Sequence, residues 1–89
     1  MVHKNILIQG FVQGVGFRYS AVKAAHQFDI KGFVKNMQDG SVYIEAEGSE
    51  SKVEEFIMWC HSGPPMAHIR SVSILDGPLM QFRHFKIAY

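Results

Sequence analysis

The chain has 89 residues, 47% of them hydrophobic, one cysteine, and a formal net charge of +1 from 9 basic and 8 acidic side chains. That length and apolar content suit one small domain with its own core, expected to span residues 1–89 without a disulfide or metal staple. The near-balance of charge excludes the strongly cationic surface of a general nucleic-acid or membrane binder, and no apolar run approaches transmembrane length.

The lone Cys60 rules out an internal disulfide and favours a reducing compartment, so a cytoplasmic location is expected. The first apolar stretch is short and gives way to glycines and glutamines with no small-residue cleavage site, so no signal peptide is expected. There are no charge blocks, low-complexity tracts or repeats.

Residues 4–11, KNILIQGF, are short, isoleucine-rich and bounded by glycines, which predicts a central strand. From residue 17 the period changes: Phe17, Ala21, Ala24, Ala25 and Phe28 recur at helical spacing, with Lys23, His26 and Gln27 on other faces. Residues 30–37, IKGFVKNM, and 41–48, SVYIEAEG, flank Gln38-Asp39-Gly40, a strong hairpin signal. In the second run Val42, Ile44 and Ala46 alternate with Tyr43, Glu45 and Glu47, which predicts one buried and one wet sheet face. Ser49 or Ser51 can cap a second helix with the buried stripe Val53, Phe56, Ile57 and Cys60; Ser51 and Glu54 have capping-box spacing, and Gly63-Pro64 ends it. Residues 69–76, IRSVSILD, predict another strand, and Phe85, Ile87 and Tyr89 alternate against His84, Lys86 and Ala88 in a last one. The order is βαββαβ plus a terminal strand. It predicts an α+β, ferredoxin-like sandwich with both helices on one face of a mainly antiparallel sheet. Such a fold brings the loop after the first strand close to the end of the second, where Asn36 stands.

The stretch 10–20, GFVQGVGFRYS, concentrates three glycines and one arginine at the strand-to-helix junction. Gly10, Gly14 and Gly16 can serve a tight turn alone. They can also aim backbone N–H groups outward at a helix N-terminus, where an anion is favoured, with Arg18 adding a fork of donors. Other phosphate motifs fail. A Walker loop counted from Gly10 would need Gly-Lys-Ser/Thr where Val15, Gly16 and Phe17 stand, and a dinucleotide fingerprint from Gly14 would need glycine at Tyr19. A cysteine-phosphatase loop from Cys60 would need arginine where Met66 stands, and Cys60 falls on the apolar stripe. His3, His26, His61, His68 and His84 lack zinc-like spacing, so no metal site is expected, and the five read as solvated or satisfied in the core. Lys31-Gly32-Phe33-Val34 partly matches an RNA-recognition motif, but the paired stacking aromatics are missing, so no nucleic-acid partner is expected.

Taken together, Val12-Gln13-Gly14-Val15-Gly16-Phe17-Arg18-Tyr19, Gly32-Phe33-Val34-Lys35-Asn36, Asp39-Gly40-Ser41-Val42, Glu47-Gly48, Gly63-Pro64, Ala67 and Phe85-Lys86-Ile87 resemble the acylphosphatases nearly end to end. Gly16-Phe17-Arg18-Tyr19 is closer to the prokaryotic form; Phe33 and Lys35 stand where many members have tryptophan and arginine. The resemblance implies hydrolysis of acyl phosphates to a carboxylate and inorganic phosphate; no cofactor and a monomeric chain are expected. It implies phosphate binding by Gln13, Gly14, Val15, Gly16, Phe17 and Arg18, with Asn36 positioning the attacking water. A domain that binds phosphate without turning anything over is the alternative, and Asn36 is what such a sensor has no evident need for.

Overall fold

The computed structural model describes residues Met1–Tyr89. The elements are β1 (Val2–Phe11), α1 (Phe17–Gln27), β2 (Lys31–Asn36), β3 (Val42–Gly48), α2 (Glu50–Ser62), β4 (His68–Asp76) and β5 (Phe85–Ile87). One five-stranded sheet has the order β4-β1-β3-β2-β5. Its neighbours are antiparallel except β2 and β5, where Gly32, Phe33 and Val34 run parallel to Phe85, Lys86 and Ile87. Two helices packed on a mainly antiparallel sheet, in the order βαββαβ plus one strand, are the sandwich expected from the pattern.

The helices cover the sheet face to which Ile6, Ile8, Val34, Val42, Ile44 and Ala46 point, and these residues are fully buried with the helix stripes. On α1 the buried positions after Phe17 are all alanine: Ala21, Ala24 and Ala25. Small residues there let the helix backbone approach the sheet closely, while α2 fills the remaining volume with Val53, Phe56 and Cys60. Trp59 joins the two halves of this layer, its ring 5.3 Å from Phe17 and 5.9 Å from Phe56. No helix is long and apolar enough to cross a membrane.

Of the two candidate caps, Ser49 is the N-cap of α2; its hydroxyl accepts from the Lys52 N–H at 3.4 Å. Two local readings change. The last strand stops at Ile87, and Tyr89 is 99% exposed although its spacing continues the alternation. The second change concerns the face opposite the helices, which is not uniformly wet. β4 and β5 occupy opposite edges, so the segment 77–84 joining them must cross the sheet. It crosses over His3 and Glu47, which pair in register on β1 and β3 and are both buried. Phe82 of that segment stacks on the His3 ring and meets Phe33 edge-on.

Glu47 is what fastens the crossing. Its carboxylate accepts hydrogen bonds from the Met80 and Phe82 backbone N–H groups and from His3 Nδ1, the last at 2.7 Å. His3 Nε2 lies 3.0 Å from Glu45 and 2.8 Å from Asn5 Oδ1, so both ring nitrogens are engaged. Burial pushes the Glu47 carboxyl up, but the bonds from Met80, His3 and Phe82 outweigh it and hold the group below its ordinary value of 4.5. A carboxyl with a lowered folded value stabilises the fold fully above 4.5, and that contribution is lost as pH falls through the lower folded value. Glu47→Gln, which puts an amide against the same donors, is expected to lower Tm at neutral pH by about 5 °C or more. It should also flatten the loss of stability on acidification. Thermal unfolding of both proteins between neutral pH and pH ~3 checks this; parallel acid limbs would remove Glu47 as their source.

Candidate active site

β1 and α1 are joined by the loop 12–16, and its conformation explains its glycines. Gly14 and Gly16 have φ of 74° and 77°, in the left-handed region that side chains disfavour. A Cβ at either position would meet nothing within 4 Å, so it is the dihedral and not crowding that calls for glycine. Gly16 is the N-cap of α1 and has no side chain with which to cap it, and the first turn carries no acidic residue. The first N–H groups of α1 therefore lack both intrahelical partners and a cap. The contrast is α2, where Ser49 caps and Glu50 supplies the first-turn acid.

A cleft of about 230 Å³ opens at this helix end, lined by Val12, Gln13, Gly14, Gly16, Phe17, Arg18, Tyr19 and Asn36. Its size is below the usual range for drug-sized ligands and fits a small polar one. The expected residues thus converge with one exception: Val15 is absent from the lining, and its half-buried side chain packs against the core. Asn36 arrives from the end of β2, opposite Val42 in the β2–β3 ladder. Its Oδ1 is buried and has no hydrogen-bond partner. Buried acceptors are nearly always paired, so this oxygen, on a residue that lines the cleft, is not committed to holding the fold. Arg18 makes no ion pair with any acidic side chain. Its one aromatic contact is with the Tyr89 ring, whose centroid is 5.5 Å from the guanidinium carbon.

Sequence reasoning missed three features here. Tyr19 and Val12 line the cleft, Tyr89 reaches Arg18, and the Gln13 side chain bonds across to the β2–β3 turn. The first followed from adjacency to Arg18 and Gln13; the other two depend on where the chain ends and the hairpin turns. In that turn Asp39 accepts from the Ser41 hydroxyl at 2.5 Å and its N–H at 2.9 Å, and these bonds lower its carboxyl below the ordinary value. Asp39 is a turn former, as its place beside Gly40 suggests.

Cys60 is fully buried, and burial pushes its thiol far above the range in which a thiolate forms. No group of three or more His, Cys, Asp or Glu side chains is placed to hold a metal ion. Cys60→Ser is expected to leave activity within about twofold while destabilising the fold by ~1–3 kcal/mol through a buried hydroxyl. Chelators should likewise leave activity unchanged. A phosphocysteine trapped in turnover, or inactivation by a chelator, would contradict this.

The architecture defines the class first: a ferredoxin-like α/β sandwich carrying a small polar cleft at the N-terminus of its first helix. Comparison with known proteins narrows it. The sequence profile of the acylphosphatases matches residues 4–87. The acylphosphatase of Archaeoglobus fulgidus is 42% identical over 89 residues, covering all of both chains. That of Mannheimia succiniciproducens is 49% identical over 76 residues, 85% of this chain and 84% of that one. The crystal structure of acylphosphatase from Bacillus subtilis superposes with a TM-score of 0.97 at 36% identity, over the full length of both chains. The chain belongs to the acylphosphatase family, and so to the hydrolases that act on acid anhydrides.

Proposed function

We propose that this enzyme hydrolyses the carboxyl-phosphate bond of small acyl phosphates, with the phosphoryl group held by Arg18 and the backbone N–H groups of residues 13–18. In this reading Gly14 and Gly16 give the loop its shape, the uncapped end of α1 supplies partial positive charge, and Arg18 neutralises the phosphoryl oxygens. Phosphoryl transfer asks the protein for positioning and charge stabilisation more than covalent chemistry, and these groups supply both.

The observation that carries the hydrolytic reading is the unpartnered Oδ1 of Asn36. Asn36 lines the cleft, and a rotation of its amide that turns Oδ1 outward lets it accept a hydrogen bond from a water O–H and aim the water's lone pair toward phosphorus. An amide is no strong base, and none is required. Water oxygen bonds to phosphorus, the bond from phosphorus to the acyl oxygen breaks, and the electron pair leaves on a carboxylate whose conjugate acid has a pKa of roughly 4. The leaving group needs no proton; the proton of the attacking water passes to a phosphoryl oxygen of the substrate.

The test is release of inorganic phosphate from acetyl phosphate by the purified protein, with phosphate itself as a competitive inhibitor. Phosphate binding without turnover of any acyl phosphate would instead identify an anion-binding domain.

A further inference from the structure

Gln13 has a backbone in the proposed cradle, but its side chain points elsewhere. The Nε2 group donates to two carbonyl oxygens at once, Met37 at 2.8 Å and Ser41 at 2.9 Å. These carbonyls already close the mouth of the hairpin: Met37 N–H donates to Ser41 O at 2.8 Å, and Gly40 N–H donates to Met37 O at 3.2 Å. Met37 directly follows Asn36, and Asn36 opposite Val42 is the last rung of the β2–β3 ladder. One amide nitrogen therefore ties the β1–α1 loop to the backbone immediately beyond Asn36, which lines the cleft.

We infer that the Gln13 side chain is a positioning residue, which sets the distance and angle between the phosphate cradle and Asn36. The inference rests on the proposed roles of Arg18 and Asn36 and adds a reason why two segments distant in sequence keep a fixed relation. Without the bridge, no hydrogen bond joins the loop to the hairpin mouth, and their spacing is left to the sheet and to the packing of α1 on β2. A phosphate would still find its ligands on one side, but the water would no longer be held in line. A misplacement of about 1 Å costs up to ~10²-fold in rate when attack depends on alignment. Because Gln13 acts through Asn36, the two residues form one unit and their effects on rate should not multiply.

The experiment is a double-mutant cycle on kcat with acetyl phosphate, using Gln13→Met, which keeps the length of the side chain and removes its donors, and Asn36→Ala. Gln13→Met is expected to lower kcat by about 10- to 100-fold with inorganic phosphate inhibiting within about threefold of wild type. In the Asn36→Ala background it should change the residual kcat by less than about threefold. A second variant, Gln13→Glu, places a carboxylate against the two carbonyls and should be slower still at neutral pH. Its kcat relative to wild type should rise as the pH falls, because a protonated carboxyl donates again. A kcat for Gln13→Met within twofold of wild type, multiplication of the two effects, or a flat pH ratio for Gln13→Glu would overturn the inference. If Asn36→Ala collapses turnover while the Gln13→Met effect multiplies onto it, only the role of Gln13 fails. If Asn36→Ala itself retains turnover, water positioning by Asn36 fails, and the role of Gln13 through it fails too. Should Gln13→Met not fold, the pH ratio of Gln13→Glu decides alone.

Discussion

Arg18→Ala is expected to lower kcat/KM for acetyl phosphate by about 10²–10³-fold or more, since removing one preorganised charge-stabilising donor commonly costs that much. Affinity for inorganic phosphate should fall with it, because the guanidinium meets charge in the ground state as well as the transition state. The fold should survive. Arg18 makes no ion pair with an acidic side chain, and its aromatic contact is with the almost fully exposed Tyr89. An exposed cation–π contact is worth ~0.5–1 kcal/mol, so Tm should move by only a few degrees. Arg18→Lys keeps the charge and loses the two-pronged geometry, and it should fall between wild type and Arg18→Ala. Near-normal turnover by folded Arg18→Ala would remove the proposed phosphate ligand.

Asn36→Ala should separate catalysis from binding. Turnover is expected to fall by about 10²-fold or more while inorganic phosphate still competes within roughly threefold, because the acceptor is lost and the cradle is untouched. Stability gives an independent check. Asn36 Oδ1 has no partner within the protein, so deleting it removes an unpaired buried acceptor rather than a hydrogen bond. Tm should therefore hold or rise slightly. A lower Tm with catalysis retained would make Asn36 a support for the hairpin instead. A wild-type protein that binds phosphate but turns over no acyl phosphate, with neither property changed by Asn36→Ala, would make the domain an anion sensor.

The cleft lies where it does because two chain reversals meet. Gly14 and Gly16 end β1 by turning the backbone into α1 with its first N–H groups free. The Asp39-Ser41 turn ends β2, leaving Asn36 at the last rung of the hairpin. β3 lies between β1 and β2 in the sheet, so the two reversals are held one strand apart and are bridged by Gln13.

Local chemistry made much of this legible. The change from alternation to helical spacing at Phe17, the Asp39-Gly40 turn and the Gly63 stop each depend on a few neighbouring residues, so their elements could be read in order. The same holds for Gly14, Gly16 and Arg18, because a loop that opens a helix carries its own geometry. The buried Glu47 was another matter. By alternation it belongs with Tyr43 and Glu45 on a wet face, and only the opposite-edge placement of β4 and β5 sends the segment 77–84 across it. Tyr43 on the same face shows both scales: burial, and then its bond to Glu45 two residues along the strand, push the phenol up to about 12. The sequence alone determined the order of elements and the glycine loop that leads into Arg18, because periodicity and turn chemistry act over a few residues; Asn36 became a candidate through the resemblance to the acylphosphatases. Tertiary structure decided the pairing of β5 with β2, the burial of His3 with Glu47, the meeting of Asn36 with the β1–α1 loop at the cleft and the Gln13 bridge. Each of these joins residues far apart in the chain, and their distance is set by strand order, which no local preference encodes.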